Sequence, residues 1–220
     1  MAVIHALLPS TAVRNEDQLM LGNLGIRIFN ALAVALKLLL SGYYQASALQ
    51  LRDVLETTFL LDYFSTDKTL LTQWRTLPEA KRKNVFRPVS IRTALDARDG
   101  FTEKKRAVAY DLLCRLAGHA TPEGAVMLVP DPKSTSVHCG PFLEETALNA
   151  LIAECASLSV QAAGAFSTLI IDENLDQKEA RIAYMQAEAD WFERFFEIKI
   201  DRTKIEELRT LLRLARKADA

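Results

Sequence analysis

The sequence predicts an all-α protein, an antiparallel helical bundle in which residues 1–220 form a single domain. Three observations carry this prediction. No proline lies between Pro9 and Pro78, so long helices can run there without losing a backbone donor. Half of the 220 residues are hydrophobic and a quarter are charged, which is enough apolar surface for one packed core. The apolar residues recur every three to four positions, as in helices.

The first long helix is predicted from Asn15 to Leu40. Its apolar residues at helical spacing are Leu19, Leu24, Ile28, Leu32, Ala35 and Leu39. Ser41 and Gly42 supply a stop, and a second helix follows from Tyr43 to Phe64. Because the connection is so short, the two helices are expected to run antiparallel as a helical hairpin.

Shorter helices are predicted in the middle of the chain. Residues 65–67 form a break and an N-cap for a helix that reaches Trp74. Short helices fill 79–97, with Pro88 at an early position of one of them. Thr102 and Glu103 open a further helix that runs to about residue 116.

The stretch 118–142 is predicted to be an irregular excursion, because it holds four of the seven prolines and three of the eight glycines. A small β-hairpin is the alternative, with arms at 125–129 and 134–138 on either side of 130–133.

Three helices are predicted to complete the chain. The first spans 144–171, a break follows at 172–174, and the second spans 175–198. The C-terminal stretch 201–220 forms the last helix, with acidic residues early and basic residues late, which suits the helix dipole. Its leucine stripe is expected either to pack on the bundle or to pair with a second copy. A homodimer is therefore one expectation.

The most hydrophobic stretch, residues 26–40, is interrupted by Arg27, Asn30 and Lys37. It therefore falls short of a continuous apolar span of about 20 residues and is predicted to be a buried amphipathic helix, with no membrane partner. The first nine residues hold an apolar patch that is too short for a signal peptide. We expect a cytoplasmic protein.

The three cysteines, Cys114, Cys139 and Cys155, are odd in number and include no CxxC pair. Neither a disulfide framework nor a thiolate metal site is suggested, and a reducing cytoplasm fits. The sequence has no glycine-rich phosphate loop, and none of its three histidines follows a glutamate by three positions. No metal and no cofactor are expected.

The first candidate for a functional site is the pair Arg52 and Glu56, which lies four residues apart in the apolar segment 49–64. That spacing places the two side chains one above the other on a helix. Buried charges are costly unless paired, so a pair at this place either positions a ligand or holds two helices together.

The second candidate is formed by Tyr110 and His119, where a helix ends at Gly118. A histidine beside an irregular segment is well placed for proton transfer, because its pKa lies near physiological pH. A histidine that only makes a hydrogen bond is the structural alternative.

The third candidate is a basic segment. The whole chain has 27 basic and 28 acidic residues, but between residues 75 and 106 ten basic residues face four acidic ones, an excess of six positive charges. With Trp74 and Phe86 interleaved, this segment could contact a phosphate backbone. The predicted nucleic-acid-binding residues are Arg75, Lys81, Arg82, Lys83 and Arg87. A solvated charged surface is the alternative.

These residues carry a resemblance that spans about residues 41–121. The pattern is similar to a family of uncharacterised bacterial helical proteins and, more distantly, resembles the HEPN superfamily of helical bundles. The residues that match this pattern are Gly42, Ala48, Arg52, Glu56, Tyr63, Tyr110 and His119. Many members of that superfamily are ribonucleases of toxin–antitoxin and phage-defence systems.

The chain departs from the ribonuclease motif of that superfamily at one place. The motif has an arginine, four to six residues and then a histidine, whereas only three residues separate Arg115 from His119. Leu116 also stands where a polar residue is usual. We therefore do not assign this pair as a ribonuclease motif.

The residues and the resemblance favour a protein that acts on or binds RNA or a nucleotide in a prokaryotic defence or toxin–antitoxin setting. If it is an enzyme, the resemblance implies a metal-independent ribonuclease, with Arg52 holding a phosphate, Glu56 orienting that arginine, and His119 acting as acid or base near Tyr110. The alternative is a non-catalytic interaction module, in which the Arg52–Glu56 pair is structural and the excursion contacts a partner protein.

Overall fold

The structure is a computed structural model and describes residues 1–8, 15–131, 133, 137–171 and 174–219. Over these residues it contains helices and connecting segments but no strand, which confirms an all-α helical bundle. The helices are α1 (Ala2–Leu7), α2 (Glu16–Leu40), α3 (Tyr44–Thr66), α4 (Thr69–Thr76), α5 (Glu79–Val85), α6 (Pro88–Arg98), α7 (Lys105–Leu113), α8 (Pro122–Ala125), α9 (Glu145–Leu169), α10 (Leu175–Phe196) and α11 (Thr203–Ala218). A π-helical turn, Cys114–Gly118, extends α7, and a 3-10 turn, Val126–Leu128, follows α8.

The central helix of the bundle is α3, which contacts α2, α4, α6, α7 and α9. Asn15 caps α2, as predicted, by accepting a hydrogen bond from the backbone of Gln18 at 2.8 Å. The buried hydroxyl of Ser47 on α3 donates to the carbonyl of Ala35 on α2 at 2.9 Å. The three residues between α2 and α3 leave these helices antiparallel, as the sequence predicts.

A close approach of α2 and α9 depends on Gly25. A Cβ atom at Gly25 would lie 2.5 Å from Cε2 of Phe166, a fully buried ring of α9. The missing side chain lets the ring pack against the α2 backbone, so this glycine sets the spacing of the two helices.

The turn between α2 and α3 fixes the start of α9. Gly42 has a φ of 77°, and a Cβ atom there would lie 2.8 Å from the backbone nitrogen of Phe142 and closer still to its carbonyl oxygen. The Tyr44 hydroxyl donates to the carbonyl of Glu144 at 3.2 Å and accepts from its backbone N–H at 3.0 Å. This turn therefore docks a segment that is 100 residues away in sequence.

Helix α1 was not expected from the sequence. It packs on α10 and also contacts α2 and α9, and its residues Ile4 and Leu7 are fully buried. Six residues are too few to display a helical period, which is why the apolar patch gave no prediction.

Three details of the sequence prediction are corrected. The first arm of the hairpin alternative is wrong, because Ala125 ends α8 and Val126–Leu128 is a 3-10 turn; residues 134–136 of the second arm lie outside the described residues. Helix α3 continues to Thr66, so of the predicted break at 65–67 only Asp67 lies outside a helix; its side chain accepts from the Thr69 amide at 2.8 Å, and the N-cap position of α4 is held by Lys68. Helix α7 begins at Lys105 rather than at residue 102.

The C-terminal helix α11 packs on α10. The two helices enclose a small apolar cluster of their own, formed by Ile182, Ala189 and Ile205. The inner face of α11 therefore packs on the bundle, which is one of the two arrangements expected for its leucine stripe.

Two helices, α2 and α9, are long and apolar enough to cross a membrane by length and composition alone. Both also belong to the core, where 44% and 39% of their most apolar windows are buried. Buried core helices of proteins that do not span a membrane meet the same criterion, so this finding is only weak evidence that either helix lies in a membrane.

Candidate functional site

The predicted ion pair on α3 is present. Arg52 Nη2 lies 3.2 Å from Glu56 Oε2, and the two side chains are 24% and 37% exposed. The pair is therefore half-buried and open to one side. It is not sealed inside the bundle, so a ligand can reach it.

Tyr110 of α7 joins this pair. Arg52 Nη2 donates a short hydrogen bond to the Tyr110 hydroxyl, and Cζ of Arg52 lies 4.9 Å from the centroid of the Tyr110 ring. Burial, followed by the negative charge of Glu56, raises the pKa of the Tyr110 hydroxyl, so this group stays protonated at neutral pH. Three of the four predicted catalytic residues are thus in contact.

The π-helical turn after α7 holds the other side of Arg52. Arg52 Nε donates to Cys114 Sγ at 3.1 Å, and a Cβ atom at Gly118 would lie 3.2 Å from Cδ and Nε of Arg52. Burial acts to lower the pKa of Arg52, but the hydrogen bond with Cys114 and the charge of Glu56 outweigh it and raise that pKa. The guanidinium is therefore fixed and permanently charged.

A second arginine, Arg92 of α6, lies against the same tyrosine. Its Cζ is 4.0 Å from the centroid of the Tyr110 ring, and the residue is only 8% exposed. Its Nε and Nη1 atoms are buried and have no hydrogen-bond partner among the described residues. A buried guanidinium without a carboxylate is costly, because the ring of a tyrosine replaces only part of its hydration.

A third arginine, Arg27 of α2, completes the charged group. It forms an ion pair with Asp53 of α3, and its side chain is 59% exposed. The hydrogen bond with Asp53 is the largest cause of its raised pKa. Arg27 and Asp53 thus lie at the solvent side of the site.

These residues line a cavity of about 440 Å³, which we call the arginine cavity. Its charged walls are Arg27, Arg52, Asp53, Glu56 and Arg92, and Tyr110 lies beside them. Its remaining walls are mainly apolar and include Trp74, Phe86, Pro88 and Ile91. The cavity therefore sets a strongly charged side against an aromatic and apolar side, which suits a ligand with a charged group and a flat apolar part.

His119, the fourth predicted catalytic residue, does not line the arginine cavity. Its backbone N–H donates to the Cys114 carbonyl at 3.1 Å and closes the π-helical turn, but its side chain is exposed. The structure therefore brings together Arg52, Glu56 and Tyr110 and leaves His119 outside.

Two of the five predicted nucleic-acid-binding residues form ion pairs with carboxylates. Arg75 is paired with Glu16 and Asp17 of α2, with Nε 2.8 Å from Asp17 Oδ1. Lys83 Nζ lies 2.6 Å from Glu79 Oε1.

The other three of these residues have no carboxylate partner in the described part of the chain. Arg87 Nη2 donates to Asn84 at 2.6 Å, the Arg82 guanidinium lies 5.8 Å from the Trp74 ring centroid, and Lys81 is exposed. Arg82 is therefore the one in contact with a wall of the arginine cavity.

Sequence reasoning missed Arg27, Asp53 and Arg92 as site residues. Arg92 was counted only as part of the basic segment. A sharper signal lay in the sequence, where the apolar residues Ile91 and Leu95 stand one position before Arg92 and three positions after it, which places the arginine beside the apolar face of the helix. Both apolar residues are buried in the structure.

No protein-family model, curated protein or solved structure matches this chain. The resemblance to the HEPN superfamily therefore stays a prediction. Over the described residues, no group of three or more His, Cys, Asp or Glu side chains could hold a metal ion.

Proposed function

We propose that this protein binds RNA or a nucleotide, and that the arginine cavity holds a phosphate group of that ligand. The observation that carries the proposal is Arg92, a buried guanidinium whose Nε and Nη1 have no hydrogen-bond partner in the described part of the chain. A phosphate would supply the charge and the acceptors that Arg92 lacks, and guanidinium is the side chain best suited to phosphate.

The neighbours of Arg92 support the same ligand. Arg52 is held rigidly by Tyr110, Glu56 and Cys114, so it can meet a phosphate without losing side-chain freedom. Trp74 offers flat apolar surface on which a base could stack, and the buried ring of Phe86 lines the same cavity.

The proposal concerns binding, and it gives His119 no role. Cleavage of RNA by a metal-independent mechanism, in a defence or toxin–antitoxin setting, is what the resemblance implies. A cleavage assay with wild type and the variants Arg52→Ala and His119→Ala tests this finer proposal. Loss of cleavage in a folded His119→Ala variant would assign His119 a catalytic role as acid or base.

The test of binding uses fluorescence anisotropy with a short single-stranded RNA and calorimetry with nucleotides. Arg92→Gln should weaken binding by about 30-fold or more, because it removes the buried charge that meets the phosphate. Arg213→Gln is the matched control, since it removes an exposed arginine on α11. Equal affinity of wild type and Arg92→Gln would contradict the proposal.

A second candidate function, a protein interaction module, is favoured by the outer face of α11. Leu211 and Leu214 are 61% and 59% exposed, and an apolar groove of about 360 Å³ runs beside them between α10 and α11. Glu207 and Lys217 on this face are exposed and make no ion pair within the described residues. The occupant that this pattern fits is a second copy of the chain.

In a two-fold antiparallel pairing centred between Leu211 and Leu214, Glu207 of one copy faces the end of α11 that carries Lys217 of the other. Sedimentation should therefore show a dimer that Leu211→Asp dissociates. Glu207→Lys should weaken the dimer, and adding Lys217→Glu should restore it. A monomer at all concentrations, or a dimer indifferent to these changes, would rule out this pairing.

A further inference from the structure

The arginine cavity can be assigned a narrower class of ligand than RNA or a nucleotide in general. We infer that it takes a mononucleotide, a single planar base on a sugar that carries one terminal phosphate. This inference rests on the proposed function, and three features of the cavity support it: its charge balance, the burial of Arg92 and its aromatic wall.

The charge balance of the cavity fits one phosphate. Arg27 is paired with Asp53 and Arg52 with Glu56, so of the three arginines of the cavity only Arg92 has no carboxylate partner among the residues that the structure describes. A phosphate monoester carries about 1.5 to 2 negative charges at neutral pH. One unpaired guanidinium, with partial help from Arg52, matches that charge. A diphosphate or triphosphate would bring further negative charges close to Asp53 and Glu56.

The burial of Arg92 fits a terminal phosphate. Arg92 is only 8% exposed, so a phosphate must reach into the cavity to meet it. A phosphate inside a strand has a sugar on each side, and a continuous strand has to follow a groove in both directions from that phosphate. The volume of about 440 Å³ lies in the range of small-ligand sites, about 300–1,000 Å³.

The aromatic wall fits a base. Trp74 is half-buried and its ring is held from one side by Phe64, with ring centroids 5.9 Å apart. The Arg82 guanidinium lies 5.8 Å from the same ring. A base that stacks on Trp74 would thus meet a fixed ring, and bases of any kind stack on such a ring.

The experiment is calorimetric titration of the wild-type protein with inorganic phosphate, ribose 5-phosphate, the four nucleoside monophosphates, ATP, and a single-stranded RNA without a terminal phosphate. The monophosphates should bind about tenfold more tightly than ribose 5-phosphate, because only they stack on Trp74. They should also bind more tightly than ATP and the RNA. Arg92→Gln should lower their affinity by about 30-fold or more.

Trp74→Leu should lower the affinity for monophosphates by about tenfold and leave that for ribose 5-phosphate unchanged. Trp74 also packs on Phe64, so a thermal melt of this variant must first establish that it is folded. If it is not, Arg82→Gln tests the same wall from its outer side, with a smaller loss of monophosphate affinity expected.

The outcomes separate this inference from the proposed function. If RNA binds in an Arg92-dependent way and the monophosphates do not, the mononucleotide inference is wrong and the proposed function stands. Tighter binding of ATP than of the monophosphates would also overturn the inference. If none of these phosphate compounds binds, both are wrong.

Discussion

At the scale of single residues, Arg92 and Arg106 show how differently two neighbouring buried arginines can be used. Arg106 is paired with Asp96, at 2.9 Å, and with Asp99. Arg92 is more deeply buried and rests on the ring of Tyr110, with no carboxylate partner in the part of the chain that the structure describes. The first is a structural residue, whereas the second keeps a costly charge that a ligand can use.

This contrast leads to a prediction about stability. Arg92→Met should raise the free energy of unfolding of the ligand-free protein by about 1 kcal/mol, because the desolvation cost it removes exceeds the cation–π contact of about 2 kcal/mol that it loses. Urea denaturation of the ligand-free protein measures this change.

The matched control is Arg106→Met. It should lower the free energy of unfolding by about 3 kcal/mol, because it leaves Asp96 buried without its partner. A comparable loss of stability in both variants would show that Arg92 is a structural residue after all.

The sequence could predict Arg52 with Glu56, because a pair four apart on an apolar helix face is local information. Arg92 and Asp96 are also four apart and invite the same prediction, which would have been wrong. Asp96 instead forms an ion pair with Arg106 of α7. Which of two arginines takes a carboxylate depends on how α6 and α7 pack, and no local pattern contains that information.

A pH dependence follows from Asp99. The hydrogen bond from Arg98, together with that from Arg106, lowers the pKa of Asp99 from 3.8 to about 2. A folded-state pKa below the unfolded value means that the stabilisation is complete above pH 3.8 and is lost as the pH falls through about 2.

Asp99→Asn should therefore cost up to about 1 kcal/mol at pH 5, a modest value because Asp99 is near solvent, and almost nothing at pH 2. Denaturant unfolding of the wild type and of Asp99→Asn between pH 2 and pH 5 measures the difference in their free energies of unfolding. The titration of the other carboxylates contributes to both proteins and cancels in this difference. A difference that does not change with pH would refute this assignment.

At the scale of elements, the turn between α2 and α3 is held by a close backbone contact with Phe142. Gly42→Ala should lower the free energy of unfolding by more than about 2 kcal/mol, since an L-residue in the left-handed region costs about 1–2 kcal/mol and its Cβ would also collide with Phe142. Thermal or urea unfolding provides the measurement.

Gly100→Ala is the control for this prediction. Gly100 has a similar φ of 70°, but a Cβ atom there meets nothing within 4 Å. Gly100→Ala should therefore show only the conformational cost of an L-residue in the left-handed region. The difference in the free energy of unfolding between the two variants then gives the cost of the collision with Phe142. Equal losses would mean that Phe142 moves away without cost.

The long helices could be read from the sequence, whereas the details of their ends and the short elements could not. The proline-free tract and its apolar period gave α2 to within its N-cap. Helix α1 offers too few residues for a period, and the π-helical turn at Cys114–Gly118 has no sequence signature of its own. Yet that turn positions Cys114 and Gly118 against Arg52, so the site depended on a feature that no pattern predicts.

At the scale of the whole molecule, the arginine cavity lies where two parts of the chain meet. Helices α2 and α3 supply Arg27, Arg52, Asp53 and Glu56, and they belong to the same packed core as α9. The residues from α4 to α7 supply Trp74, Phe86, Arg92 and Tyr110. The cavity therefore has one wall on the long helices and another on the segment that separates α3 from α9.

The anchoring of Phe142 and Glu144 on the turn at Gly42 also bears on how this chain can tolerate changes in length. The start of α9 is held there by backbone contacts and by Tyr44, whatever the length of chain that precedes it. Lengthening a flexible connection is entropically cheap, about 0.6 kcal/mol for each doubling. Gly140, where a Cβ atom would meet nothing within 4 Å, is thus a place where inserted residues, even a fused reporter domain, should be accepted without disturbing the helices on either side.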